Sequence, residues 1–287
     1  MELTTKTNSG LEQKVVLLES PLTEKEITIT VNNFEESDNL FEIHKERYRE
    51  HIYLPEWKEI VLVLRSAEQE INPENLNLLA TTSYHVQASR KGIVDDVAQI
   101  SVSGLVLTSD KKLVYGIRGG NVLKGEAAPV PTGSITHNKN CSNPVFMSFY
   151  EELREELGVG IEKSLLIGYQ TDPAFTHGIN LVFYMPTSFS SSELEEIHKK
   201  AWEVYIKGLS KGLSKLDARK EITDVGLSNA DAWEHTKLVF IENESDSIKN
   251  AIDSRKVIVS DQEHTLMDIG RGDLILYNSY RGIAEII

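Results

Sequence analysis

The chain has 287 residues, 40% of them hydrophobic, with 44 acidic side chains against 30 basic and a formal net charge of −14. That balance excludes a nucleic-acid-binding protein, which needs a basic face to displace phosphate counterions. No stretch nears the roughly 20 apolar residues of a membrane span, the N-terminus lacks the apolar core of a signal peptide, and a single cysteine, Cys141, excludes an intramolecular disulfide and the usual multi-cysteine zinc sites, so a cytoplasmic protein is expected.

Residues 1–95 read as a small α+β domain. Glu26–Val31 (EITITV) alternates like a strand, Asp38–Arg49 has helical spacing, and Ile60–Leu64 (IVLVL) has the apolar run of a buried strand. Between the last two, Tyr53 to Trp57 forms a turn with a packed tryptophan. Whether this domain helps bind a substrate, makes a homodimer or only supports the fold is open.

A second domain, residues 96–287, is expected to follow. Gln99–Thr108 and Lys112–Ile117 read as a hairpin closed by Ser109, Asp110 and Lys111. Arg118 ends this hairpin beside two glycines, where its guanidinium fork suits either a phosphate or an ordinary surface position. The loop Pro131-Thr132-Gly133-Ser134-Ile135 comes next. Asn143 and Pro144 are an N-cap and first-turn pair, so a helix starts there, and Gly158 stops it.

That helix carries the chemistry. At 100° per residue, Phe146, Phe149, Tyr150, Leu153 and Leu157 make an apolar stripe, while Glu152, Glu155 and Glu156 share another face. Carboxylates at this spacing have Cβ atoms about 5–6 Å apart and repel one another unless neutralised. A hard cation such as Mg²⁺ relieves the repulsion and keeps positions for waters and substrate phosphates. A solvated helix face would show the same letters, with Glu151 and Arg154 as ordinary surface charges.

Further along, Ser164–Thr171 and Asn180–Met185 read as strands flanking the loop 172–178, in which Phe175 and His177 are candidates to touch a substrate. Ser190 and Glu193 have capping-box spacing at the head of a helix. Residues 208–215 repeat the unit Gly-Leu-Ser-Lys and read as an irregular surface insertion, because glycine costs about 1 kcal/mol inside a helix. Lys237–Ile241 is a late strand, preceded by Glu234 and His235. Other phosphate motifs fail: Gly120 and Gly125 have P-loop spacing but are followed by Glu126 and Ala127, and G-x-G-x-x-G does not occur.

The string Glu152-Leu153-Arg154-Glu155-Glu156-Leu157-Gly158-Val159 resembles the second half, E-U-x-E-E-x-G-U, of the signature of the Nudix hydrolases. The first half departs from it. Glu151 stands where the signature has Arg, Gly133 precedes Glu155 by four positions more than the signature asks, and its first Glu has no counterpart. The missing Arg orients a ligand carboxylate in the family, a role that Arg154 could share. The resemblance covers roughly Gln99 to Ile287 and implies an α/β fold, an α/β/α sandwich around a mixed sheet. It also implies a divalent metal, Mg²⁺ or Mn²⁺, held by Glu152, Glu155, Glu156 and the Gly133 carbonyl.

The segments Gly272–Gly282 and Glu234-His235-Thr236 look like those of the atypical Nudix enzymes that hydrolyse UDP-glucose and UDP-galactose. This implies a small-molecule nucleotide substrate cleaved to a nucleoside monophosphate and a sugar 1-phosphate. Glu152, Glu155 and Glu234 would be catalytic, and Arg118, Ser134, His177 and Phe175 would contact substrate. ADP-ribose or a dinucleotide is an alternative substrate, and a nucleotide-binding module without turnover is an alternative function.

Overall fold

In a computed structural model, residues 1–33, 40–50, 59–65, 71–119, 123–138, 140–172, 178–259 and 261–284 are described. Strands β1 (Glu2–Lys6), β2 (Glu12–Leu22) and β3 (Thr28–Asn33) open the chain, followed by helix α1 (Leu40–Tyr48), strands β4 (Ile60–Arg65) and β5 (Asn75–Thr82), and helix α2 (Ser83–Arg90). Then come strands β6 (Val97–Leu107), β7 (Lys112–Arg118), β8 (Ala127–Pro129) and β9 (Thr132–Ser134), helix α3 (Pro144–Glu152), and strands β10 (Leu165–Asp172) and β11 (Gly178–Pro186). Helices α4 (Ser191–Ser210) and α5 (Lys215–Asp224), strand β12 (His235–Glu242), helix α6 (Ser245–Ser254), strands β13 (Lys256–Val259) and β14 (Gln262–Thr265), and helix α7 (Asp268–Ala284) complete it.

Strand β6 organises the main sheet. Val102, Leu105 and Val106 are fully buried, as suits a strand covered on both faces. One edge of β6 pairs in parallel with β11, from Ile100↔Ile179 to Leu107↔Pro186. Its other edge is shared in sequence by β4 at Gln99↔Val63, β9 at Val102↔Gly133 and β7 at Leu107↔Leu113. The twelve-stranded sheet of the described residues runs β1-β2-β10-β11-β6-β4-β5-β3, with β12 and β8 attached through β7. Two ladders, β2 with β10 and β4 with β6, join strands from either side of residue 95.

Helices cover both faces, so the architecture is an α/β/α sandwich on a mixed sheet. On one face α3 and the turn that continues it to Leu157 bury Phe146, Phe149, Leu153 and Leu157 against Val102, Leu181 and Phe183, with Leu194 of α4 in the same cluster. Phe149 stacks on Phe183 at 4.4 Å between centroids, and Phe146 meets it edge-on at 4.9 Å. On the other face α6 and α7 bury Ile248, Leu274, Leu276 and Tyr277 against Tyr115, Val182 and Val239.

Residues 208–215 differ from the expected irregular insertion. Helix α4 continues through Gly208 to Ser210, a tight turn follows, and α5 begins at Lys215. Leu209 and Leu213 pack with Tyr205, Ala218 and Ile222, which offsets the propensity cost of the glycine. The turn expected at Tyr53 to Trp57 lies outside the described residues, and no helix among those described is long and apolar enough to cross a membrane.

Candidate functional site

Helix α3 begins and ends as its residues dictate. Asn143 Oδ1 accepts from the Phe146 N–H at 3.2 Å, Pro144 fills the first turn, and Gly158 closes the segment in the left-handed region at φ 73°. The last turn, Leu153–Leu157, widens into a π-turn, a feature frequent at functional sites. Its side chains do not share one solvated acidic face. Glu156 turns inward and is 1% exposed, Glu152 and Glu155 are half-buried, and Arg154 points to solvent.

Gly133 makes room for this helix end. Strand β9 hangs on β6 so that a Cβ at position 133 would lie 1.8 Å from Glu152 Oε1, a distance that no side chain tolerates. The neighbouring Thr132 N–H donates to the Glu156 carboxylate. Glu156 Oε2 itself has no hydrogen-bond partner and sits 3.4 Å from His235 Nε2, too far for a well-formed bond.

The opposite wall is the single turn Ala232–Glu234 that leads into β12. Glu234 Oε2 accepts from Arg118 Nη1 at 2.8 Å, and its carbonyl accepts from the Gly119 N–H at 2.7 Å. Asp231 is tied to the helix end through its N–H, which donates to the Glu155 carbonyl at 2.7 Å. Arg219, from α5, donates to Asp231 Oδ2 at 2.8 Å and to Glu155 Oε2 at 3.2 Å.

Five carboxylates therefore crowd one end of the sheet, with Arg118 and Arg219 as their close cationic partners. Burial, then the neighbouring Glu156, holds the Glu152 carboxyl well above the usual range, and burial with Glu234 does the same to Glu156. Burial pushes Asp231 up to about 7 against the pull of Arg219. His235 supplies no compensating charge, because burial and then Arg118 lower it to about 3 and keep it neutral at physiological pH.

The donor set fits a divalent metal chemically. It is built of hard oxygens, it holds a buried carboxylate oxygen without a partner, and the bare backbone of Gly133 admits the Glu152 carboxylate where a Cβ would otherwise stand. Among the described residues no three Asp, Glu, His or Cys side chains form a finished cation cage. Guanidiniums face Glu155, Asp231 and Glu234 instead.

Of the residues singled out in the sequence, Glu152, Glu155, Glu156, Gly133, Glu234 and Arg118 converge here. Ser134 does not: its hydroxyl accepts from Gln99 Nε2 at 3.4 Å, and as the next residue on the strand it faces away from the position where Gly133 meets Glu152. Phe175 and His177 lie outside the described residues. Glu151 faces Thr136, whose Oγ1 is 3.4 Å from Glu151 Oε2. Asp231 and Arg219 were not anticipated. Asp231 could have been found three positions before Glu234, on the same side of a helical turn, whereas no local signal marks Arg219.

No protein-family model and no curated protein matches the chain. Among solved structures it is similar to a MutT/nudix family protein from Enterococcus faecalis at 14% identity and TM-score 0.37, covering 65% of this chain and 62% of that one. A mutT/nudix family protein from Listeria innocua matches at 14% identity and TM-score 0.36, covering 65% and 94%. A bifunctional NMN adenylyltransferase/ADP ribose pyrophosphatase from Francisella tularensis, complexed with AMP and a Mn ion, matches at 14% identity and TM-score 0.33 over 66% of this chain and 41% of its own. The chain thus spans less than two thirds of the length of the Enterococcus and Francisella proteins.

Proposed function

We propose that this protein is a Nudix-type hydrolase that cleaves the diphosphate of a nucleoside diphosphate sugar of the UDP-glucose or UDP-galactose type, with Mg²⁺ or Mn²⁺, in the cytoplasm. The products are a nucleoside monophosphate and a sugar 1-phosphate. One observation carries the reading: Glu156, buried and with an unpartnered oxygen, lies in a cluster with Glu152, Glu155, Asp231 and Glu234 beside Gly133, whose missing side chain admits the Glu152 carboxylate.

Glu152, Glu155, Glu156 and the carbonyl of Gly133 are the groups that would hold the cation. When bound, it supplies Lewis-acid neutralisation of the diphosphate and water of lowered pKa. Glu234 is the carboxylate assigned to accept the proton of the attacking water, a role typically worth 10²–10⁴-fold. Arg118, 2.8 Å from Glu234, orients that carboxylate and adds positive charge for an anionic substrate that the net charge of −14 otherwise repels.

A second reading, a module that binds a nucleotide or sugar phosphate without turnover, is favoured by the pairing of Glu234 and Glu155 with arginines. Product analysis with UDP-glucose, UDP-galactose, ADP-ribose and dinucleotides, with Mg²⁺ and with a chelator, separates the two. Chelator-sensitive release of UMP and sugar 1-phosphate is the expected result. Cleavage of ADP-ribose or a dinucleotide alone would move the substrate class, and metal-dependent binding with no product from any compound would replace the enzyme by the binding module.

A further inference from the structure

Helix α5 reaches the carboxylate cluster through one side chain. Arg219 lies within the helix, and its fork spans two acids from two different segments: Nε is 2.6 Å from Asp231 Oδ1, and Nη2 donates both to Asp231 Oδ2 and to Glu155 Oε2. Trp233 Nε1 donates to the same Asp231 Oδ1 at 3.0 Å, and the Asp231 side chain is 13% exposed, so its orientation is fixed from both sides. Arg154, the cation next to Glu155 in the chain, comes only within 3.8 Å of Oε1 with a side chain 57% exposed. A contact so long and so wet holds little.

We propose that Arg219 is the positioning residue of this cluster: it sets the direction of the Glu155 carboxylate and locks the Asp231 turn against the end of the acidic helix, so that cation affinity depends on a helix outside the acidic segment. The inference rests on the reading of the cluster as a cation site. The geometry requires arginine, because a lysine ammonium cannot present two donors in a plane to Asp231 and still reach Glu155. Two opposed effects separate this role from a simpler one. A competitor cation lowers metal affinity by occupying Glu155, whereas a positioning cation raises it by holding the ligand where it is needed.

The test is Mn²⁺ binding without substrate, followed by the free-Mn²⁺ electron paramagnetic resonance signal, for the wild-type chain, Arg219→Met and Arg219→Lys. Thermal unfolding is measured in parallel to establish that each variant is folded. Arg219→Met is expected to weaken Mn²⁺ binding by about 10–100-fold, the usual cost of losing the group that orients a ligand, and Arg219→Lys is expected to recover only part of it. Unchanged or tighter binding in Arg219→Met, with the wild-type chain binding normally, would overturn the positioning role and leave the hydrolase reading intact. Should Arg219→Met fail to fold, Arg219→Lys decides: affinity equal to wild-type overturns the inference. No Mn²⁺ binding by the wild-type chain would overturn both readings together.

Discussion

Two buried acids, Glu156 at 1% exposure and Asp273 at 0%, occupy contrasting surroundings on the two faces of the sheet. Asp273, on α7, meets neutral partners. Gln170 Nε2 donates to its Oδ1, Gln13 Nε2 donates to Gln170 Oε1 at 2.7 Å, and Ser103, which also accepts from Asn180 Nδ2 at 2.6 Å, bonds the same carboxyl. Burial raises its pKa well above the usual range, within a hydrogen-bonded ladder that fastens α7 to β2, β10 and β6. Each acid has one carboxylate oxygen with no donor, but Glu156 has the charged Glu234 and Asp231 for neighbours, with Arg118 as the opposing cation. Burial of an acid is therefore a poor sign of a site. The charge of its neighbours is what sets Glu156 apart from Asp273.

The largest effect that could break this contrast is on turnover. Glu155→Gln with Glu156→Gln is expected to lower metal-dependent hydrolysis by well over the roughly 10²-fold upper cost of losing a supporting group alone, with a Tm close to wild-type. Product release and scanning calorimetry on the same sample check both halves. Asp273→Ala is expected to do the reverse, costing on the order of 1–3 kcal/mol in urea unfolding because Gln170 loses its buried acceptor, with kcat per folded molecule retained. A comparable kcat loss in Asp273→Ala would erase the distinction.

A smaller effect sharpens the comparison through pH. A carboxyl whose pKa is raised by folding contributes its full stability below the unfolded value, near 3.8 for Asp, and loses it as pH rises toward the folded value. Asp273→Asn carries no such penalty. Its stability relative to wild-type is expected to increase from pH 4 to pH 7, and a flat difference across urea melts in that range would show that Asp273 is ionised in the fold.

The smallest expected effect is Glu151→Arg, which introduces the residue type found at this point of the signature that the segment resembles. Glu151 is beside Thr136, and Glu155 already has Arg219, so hydrolysis is expected to change by less than about fivefold, the scale of a partly exposed ion pair. A larger gain in kcat would mean that Glu155 is poorly held in the natural chain.

Much of the acidic helix was legible in the sequence because its determinants are local. Asn143, Pro144 and Gly158 set its ends, and the apolar stripe set which side meets the sheet. Periodicity could not show that the π-turn sends Glu156 inward while Glu155 stays half-exposed, since a wheel of 100° assumes a regular helix. Arg219 was hidden for a different reason: its partner Glu155 is 64 residues away in the chain, and no propensity encodes that pairing. In the first 95 residues the strands β1, β2 and β5 went unread, although Val15 and Leu17 alternate in β2. One partner of β2 is β10, far along the chain, where local pattern says little about register, whereas β1 with β2 and β4 with β5 are local pairs.

The cradle at Gly133 has a practical corollary. A methyl group added there collides with the movable end of the Glu152 side chain, whose Oε1 is 1.8 Å from the built Cβ. Gly133→Ala is thus expected to push the Glu152 carboxylate out of the cluster while leaving every acid in the sequence, so this one substitution reports whether the cluster works only with Glu152 where it stands.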